Sequence, residues 1–127
     1  EHLPPNSEDV FFKQVNKVLK ENGVFYLSTP NKHLLSILGD PAWWLAKHRH
    51  YSLEELKRFG NKVNFKLERV EYGGKFWEQL SLLNLYFSKW ILGREMIFKD
   101  KLEKKRHQEY FQENGWVNIF IKFTKGN

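Results

Sequence analysis

The chain has 127 residues, 41% hydrophobic and 17% aromatic, enough for one domain with a sizeable core. Its net charge is +6 and it has no cysteine, which excludes disulfides, thiolate nucleophiles and cysteine-based zinc sites. There is no run of about 18 apolar residues and no legible signal-peptide pattern, so no spanning helix is expected and a cytoplasmic location fits the composition.

The first element is a helix over Glu8–Asn22. Asn6 or Ser7 is suited to cap it, Glu8 and Asp9 complement its dipole, and Phe11, Val15, Val18 and Leu19 make one apolar stripe. Gly23 is expected to close it in the left-handed conformation. Val24–Thr29 is a short, nearly continuous run of β-formers, expected to be a strand covered on both faces and ended by Pro30-Asn31. A helix, a glycine turn and a strand make the second half of a βαβ unit. The strand before it is expected to lie upstream of Glu1, so that the sequence reads as part of a longer domain.

Lys32–His50 is a long connection with one helical turn at Leu34, Leu35 and Leu38 and an apolar pair, Trp43-Trp44. Connections this long are often functional. Ser52 and Glu55 form a capping box for a short helix with Leu53, Leu56 and Phe59 on its apolar face. In Asn64–Tyr72, Phe65 and Leu67 share one phase while Val70 and Tyr72 share the other. That slip predicts a bulged edge strand. Phe76–Leu92 is an aromatic-rich helix ended by Gly93. Its apolar arc is wide enough for burial on two sides or for covering an apolar ligand, with ordinary core the plainer reading. Phe98–Glu113 reads as a more polar helix, and its basic run Lys99–Arg106 reads first as a solvated face. Trp116–Phe123 alternates Val117, Ile119, Ile121 and Phe123 against Trp116 and Phe120, both sets apolar, which predicts a central strand. Thr124–Asn127 reads as a frayed end.

The sequence Glu1-His2-Leu3-Pro4, a helix, Val18-Leu19-Lys20-x-x-Gly23, a strand, Ser28-Thr29-Pro30-Asn31, and later Arg49-His50-Tyr51-Ser52-x-x-Glu55-Leu56 resembles the C-terminal half of class I S-adenosylmethionine-dependent methyltransferases. The branch it is most similar to includes the ubiquinone-type O-methyltransferases. The resemblance implies an α/β fold, the C-terminal part of a Rossmann-like methyltransferase sheet. It implies a three-stranded mixed sheet in the order five, seven, six, with flanking helices. One domain then covers residues 1–127, with 76–113 a variable helical insertion or lid.

The resemblance also implies site residues. Glu1 and His2 match the pair beside the cofactor, with His2 a candidate general base. Pro30, Asn31, His50, Tyr51 and Trp77 fall on the substrate side. The cofactor implied is S-adenosylmethionine and the partner a small-molecule acceptor, apolar by preference. The family's glycine-rich cofactor loop has no counterpart in this sequence, so the chain alone is expected not to bind cofactor. No metal is expected, because His33, His48, His50 and His107 lack ligand spacing and His48-x-His50 has no carboxylate beside it in sequence. No nucleophile motif supports a hydrolase.

A non-catalytic basic module is the other reading, with an anionic membrane surface or RNA as partner and nucleic acid the less favoured. A further expectation is homodimerisation through an unpaired edge of Val24–Thr29.

Overall fold

A computed structural model describes residues 1–112 and 114–126; Glu113 and Asn127, each at the end of an expected segment, lie outside the described residues. The elements in chain order are α1 (Glu8–Val18), β1 (Val24–Pro30), α2 (Leu34–Leu38), α3 (Pro41–Ala46), α4 (Leu53–Asn61), β2 (Phe65–Gly73), α5 (Phe76–Trp90), α6 (Lys99–Tyr110) and β3 (Asn118–Lys125). No helix among the described residues is long and apolar enough to cross a membrane.

The three strands form one sheet in the order β1-β3-β2, so the last strand in sequence lies between the two earlier ones. Both pairings are antiparallel, which corrects the expected mixed sheet. β1 and β2 run the same way, but β3 separates them and no parallel ladder can form. The one parallel contact is an isolated bridge between Asn31 and Tyr51. The phase slip in β2 is a real irregularity: the register shifts between Leu67 and Arg69. The extra residue lets Leu67 pair with Phe123 and Val70 with Ile121, so both keep to one face.

That face is the core. Phe12, Tyr51, Leu56, Phe65, Ile119, Ile121 and Phe123 are buried together, and α1 and α4 lie over them. Phe123, Phe25 and Phe65 form a triangle of rings, with Phe123 centroid distances of 6.2 and 5.9 Å to the other two and 5.8 Å between those, and Phe123 meets Phe12 edge-on at 6.1 Å. The opposite face is open. Tyr26 is 73% exposed, and with Ser28, Glu71, Phe120 and Lys122 it lines a surface hollow. β1 is therefore covered on one face rather than both, because no helix packs across Tyr26.

Three local expectations shift. α1 stops at Val18, and the left-handed residue beyond it is Asn22 (φ 59°), not Gly23. Gly23 is instead needed for space, since a Cβ there would sit 2.7 Å from the Lys20 carbonyl oxygen. β3 continues to Lys125, whose ammonium donates to the Asn16 and Leu19 carbonyls at the end of α1, so 124–125 is not frayed. α5 is not core: Phe76, Phe87 and Trp90 are exposed, and the buried residues along it are Ser81 and Ser88. It packs on α6 as a helical hairpin, tied by the Glu109 carboxylate accepting from the Trp77 N–H.

Candidate functional site

The carboxyl end of β1 is fixed by backbone. The Tyr51 N–H donates to the Pro30 carbonyl at 3.0 Å, and the Lys32 N–H donates back to Tyr51 at 3.0 Å. The Asn31 N–H donates to Val117 at 2.8 Å, and its side-chain amide donates to the Trp116 carbonyl at 3.1 Å. The β1 exit, the approach to α4 and the start of β3 are thus stitched together. Ser52 and Glu55 then make the capping box read from the sequence, with bonds of 3.2 and 2.8 Å.

Beneath this seam lies a polar cluster. His50, its side chain 1% exposed, places Nδ1 3.1 Å from the Asn31 carbonyl oxygen and 3.3 Å from Ser36 Oγ. Ser36 spends its own proton on the Val117 carbonyl at 3.2 Å. His50 Nε2 lies 2.9 Å from Asp40 Oδ2, and His48 Nδ1 lies 2.9 Å from that same oxygen. Asp40 caps α3, its Oδ1 accepting from the Ala42 N–H at 2.9 Å. Burial alone would push the Asp40 carboxyl up. Hydrogen bonds to His50, His48 and Ala42 outweigh it and hold the group at about 2.

The cluster opens outward through His48. Its Nε2 is 3.7 Å from Glu1 Oε1, which is 3.5 Å from His2 Nε2, and the His2 and His48 rings lie 4.9 Å apart. Glu1, His2, Ala42, His48, Tyr86 and Trp90 line a cleft of about 550 Å³. Arg49 anchors the N-terminal segment by donating to Glu8 and to the Leu3 carbonyl. The Tyr51 hydroxyl also donates to Glu8, at 2.8 Å; burial first and the Glu8 carboxylate second raise its pKa.

The predicted residues therefore divide. Glu1 and His2 meet at the cleft, His2 with a side chain 82% exposed. Pro30 and Asn31 serve the seam through their backbone, and the Asn31 side chain is engaged with Trp116. His50 and Tyr51 are inside. Trp77 stands apart in the α5–α6 groove, with Lys105 Nζ 3.9 Å over its ring.

Sequence reasoning passed over Asp40, and weighed His48 only as a metal ligand before setting it aside. The ground for setting metal aside, that no carboxylate lies beside His48-x-His50, does not hold in space: Asp40 touches both rings. The available signal was Asp40-Pro41, an N-cap followed by an N1 proline. The short helix it starts returns the chain to Asp40 at His48. No protein-family model matches this chain, and no curated protein matches it.

Proposed function

We propose that this chain forms the C-terminal portion of a methyltransferase that moves the methyl group of S-adenosylmethionine to a small, apolar acceptor. The observation that carries the reading is topological. β3 runs antiparallel between β1 and β2, the order the family resemblance implies for strands seven, five and six, and the cleft connects to the carboxyl end of β1 through His48, Asp40 and His50, whose Nδ1 lies 3.1 Å from the Asn31 carbonyl oxygen. In open α/β sheets ligands collect at that end. Tyr86 and Trp90 supply the cleft with an apolar wall suited to such an acceptor.

S-adenosylmethionine, when bound, would supply an electrophilic methyl group, its sulfonium leaving as a neutral thioether as the acceptor atom bonds to the methyl carbon. The acceptor's proton goes to the exposed His2 imidazole and on to water. In-line positioning supplies much of the rate, so His2 assists rather than dominates. The test is label transfer from methyl-tritiated S-adenosylmethionine by the whole protein, incubated with a lipid extract of its source. Tritium moving into an organic-soluble product that falls when His2→Ala is introduced supports the reading; a whole protein that transfers none overturns it.

A second reading has one observation of its own. Trp77, Leu83, Phe87 and Phe98 line an apolar groove of about 580 Å³ with Lys101 and Lys105 at its edge. Exposed aromatics beside lysines suit an anionic membrane surface. Salt-sensitive sedimentation with anionic but not neutral vesicles is the outcome it requires.

A further inference from the structure

We infer that Asp40, His48 and His50 form a binding site for a divalent transition-metal ion of the zinc class. The argument starts from the protons on His50. Both neighbours of its Nδ1 are acceptors: the Asn31 carbonyl oxygen has no proton, and the Ser36 hydroxyl has given its own to Val117. Nδ1 therefore carries the hydrogen. In the neutral ring this leaves the Nε2 lone pair aimed at a carboxylate oxygen 2.9 Å away, in a place closed to water. Two acceptors at that distance repel each other, so either a second ring proton or a metal ion lies between them; the proton makes the hydrogen bond of the metal-free protein, and a metal ion can replace it.

His48 presents a second imidazole to the same carboxylate. Its Nε2 faces the Glu1 carboxylate, and its Nδ1 faces the same Asp40 oxygen at 2.9 Å. Two imidazole nitrogens thus lie against one carboxylate oxygen, and the three ligating atoms are within 4.8 Å of one another. Metal-bound histidines characteristically give the far N–H to a carbonyl or carboxylate; for His50 that partner is Asn31, at 3.1 Å, while His48 Nε2 lies 3.7 Å from the Glu1 carboxylate, an ion-pair distance. The second Asp40 oxygen is held by the Ala42 N–H, which fixes the carboxylate plane.

Imidazole with carboxylate suits zinc and its neighbours better than calcium or magnesium, which take oxygen ligands. With bonds of about 2.0–2.1 Å the 2.9 Å separations are close to the edge of a right-angled ligand pair and open slightly for a tetrahedral one. Three protein ligands leave a position for water, and His48 is the ligand nearest the cleft.

The experiment uses the untagged, chelator-treated chain titrated with Co²⁺ alone and then with Zn²⁺, followed by visible absorption and imidazole nitrogen NMR. One equivalent of Co²⁺ should bind with a ligand-field band, Zn²⁺ should displace it, and the perturbed nitrogens should be His50 Nε2 and His48 Nδ1. Because Asp40 and His50 variants risk unfolding, the informative variant is His48→Gln. With near-UV circular dichroism unchanged, its affinity should fall by more than about 100-fold, beyond what loss of an outer-shell partner costs. His107→Gln on α6 should bind as the parent does. Wild-type protein without saturable binding at millimolar metal, and with both His50 nitrogens protonated at mildly alkaline pH, would show that the cation is a proton and overturn the inference. Binding that survives His48→Gln unchanged would overturn it equally.

Discussion

Replacing Asp40 by asparagine removes the charge on which the polar cluster turns, and the effect should depend on pH in a calculable way. In the native protein the carboxyl titrates at about 2 instead of 3.8; burial opposes that drop, and the bonds to His50, His48 and Ala42 cause it. A fall from 3.8 to about 2, at about 1.4 kcal/mol per pH unit, is a contribution of roughly 2 kcal/mol. Discounting for solvent is not needed, because the side chain is 3% exposed. The sign follows from the depressed value. The contribution is fully present above 3.8 and disappears as pH falls through about 2. Asp40→Asn should therefore be less stable than the parent by at least about 2 kcal/mol near neutrality, and the gap should close toward about pH 2. Urea unfolding of chelator-treated protein across the acid range measures it. All other carboxylates titrate in both proteins, so the difference reports Asp40 together with the two histidines it contacts. A gap that stays constant with pH, or one below about 0.5 kcal/mol at neutrality, would refute the hydrogen-bonded cluster.

Truncating the fully buried Phe123 to alanine removes one ring from the aromatic cluster with Phe12, Phe25 and Phe65, and should cost about 3–5 kcal/mol in chemical denaturation. Gly60→Ala should lower stability by about 1 kcal/mol or more despite better helix propensity, because the new methyl would stand 2.8 Å from Phe123 Cε1; a melting point that rises would contradict that packing. Ser52→Ala should lose about 0.5–2 kcal/mol with the capping box, read as a lower urea midpoint at unchanged slope. The outer edge of β1 has no partner strand among the described residues, and Tyr26 lies exposed on it. Concentration-dependent association should appear in sedimentation velocity and weaken in Tyr26→Lys; a monomer at every concentration would remove the edge-pairing argument.

What the sequence revealed and what it hid have separate physical causes. The capping box at Ser52, the bulge in β2 and the central place of β3 were legible, because each is a local signal tied to one backbone geometry. The Phe65/Leu67 to Val70/Tyr72 phase slip can be kept on one sheet face only by an extra residue. The exposure of α5 was not legible. A wide apolar arc states that a surface is to be covered, not whether this chain covers it. The cover of β1 was misjudged for the same reason: Tyr26 and Ser28 alternate outward, but neighbouring Val24, Phe25 and Leu27 mask the alternation. The site was half legible. Glu1 and His2, expected from the resemblance, line the cleft, while Asp40 was missed because its partners lie eight and ten residues on, across a helix of six residues that periodicity does not register.

The cleft lined by Glu1, His2, Tyr86 and Trp90 is proposed to belong to a methyltransferase. Calorimetric titration of S-adenosylhomocysteine, the reaction's product, into the whole protein tests it most directly, with hydrogen exchange read in parallel. Micromolar saturable binding that protects the amides of Glu1–Asn6 and Asn31–His33 is the predicted result. Absence of heat from the whole protein, or binding that leaves both segments unprotected, would contradict the account.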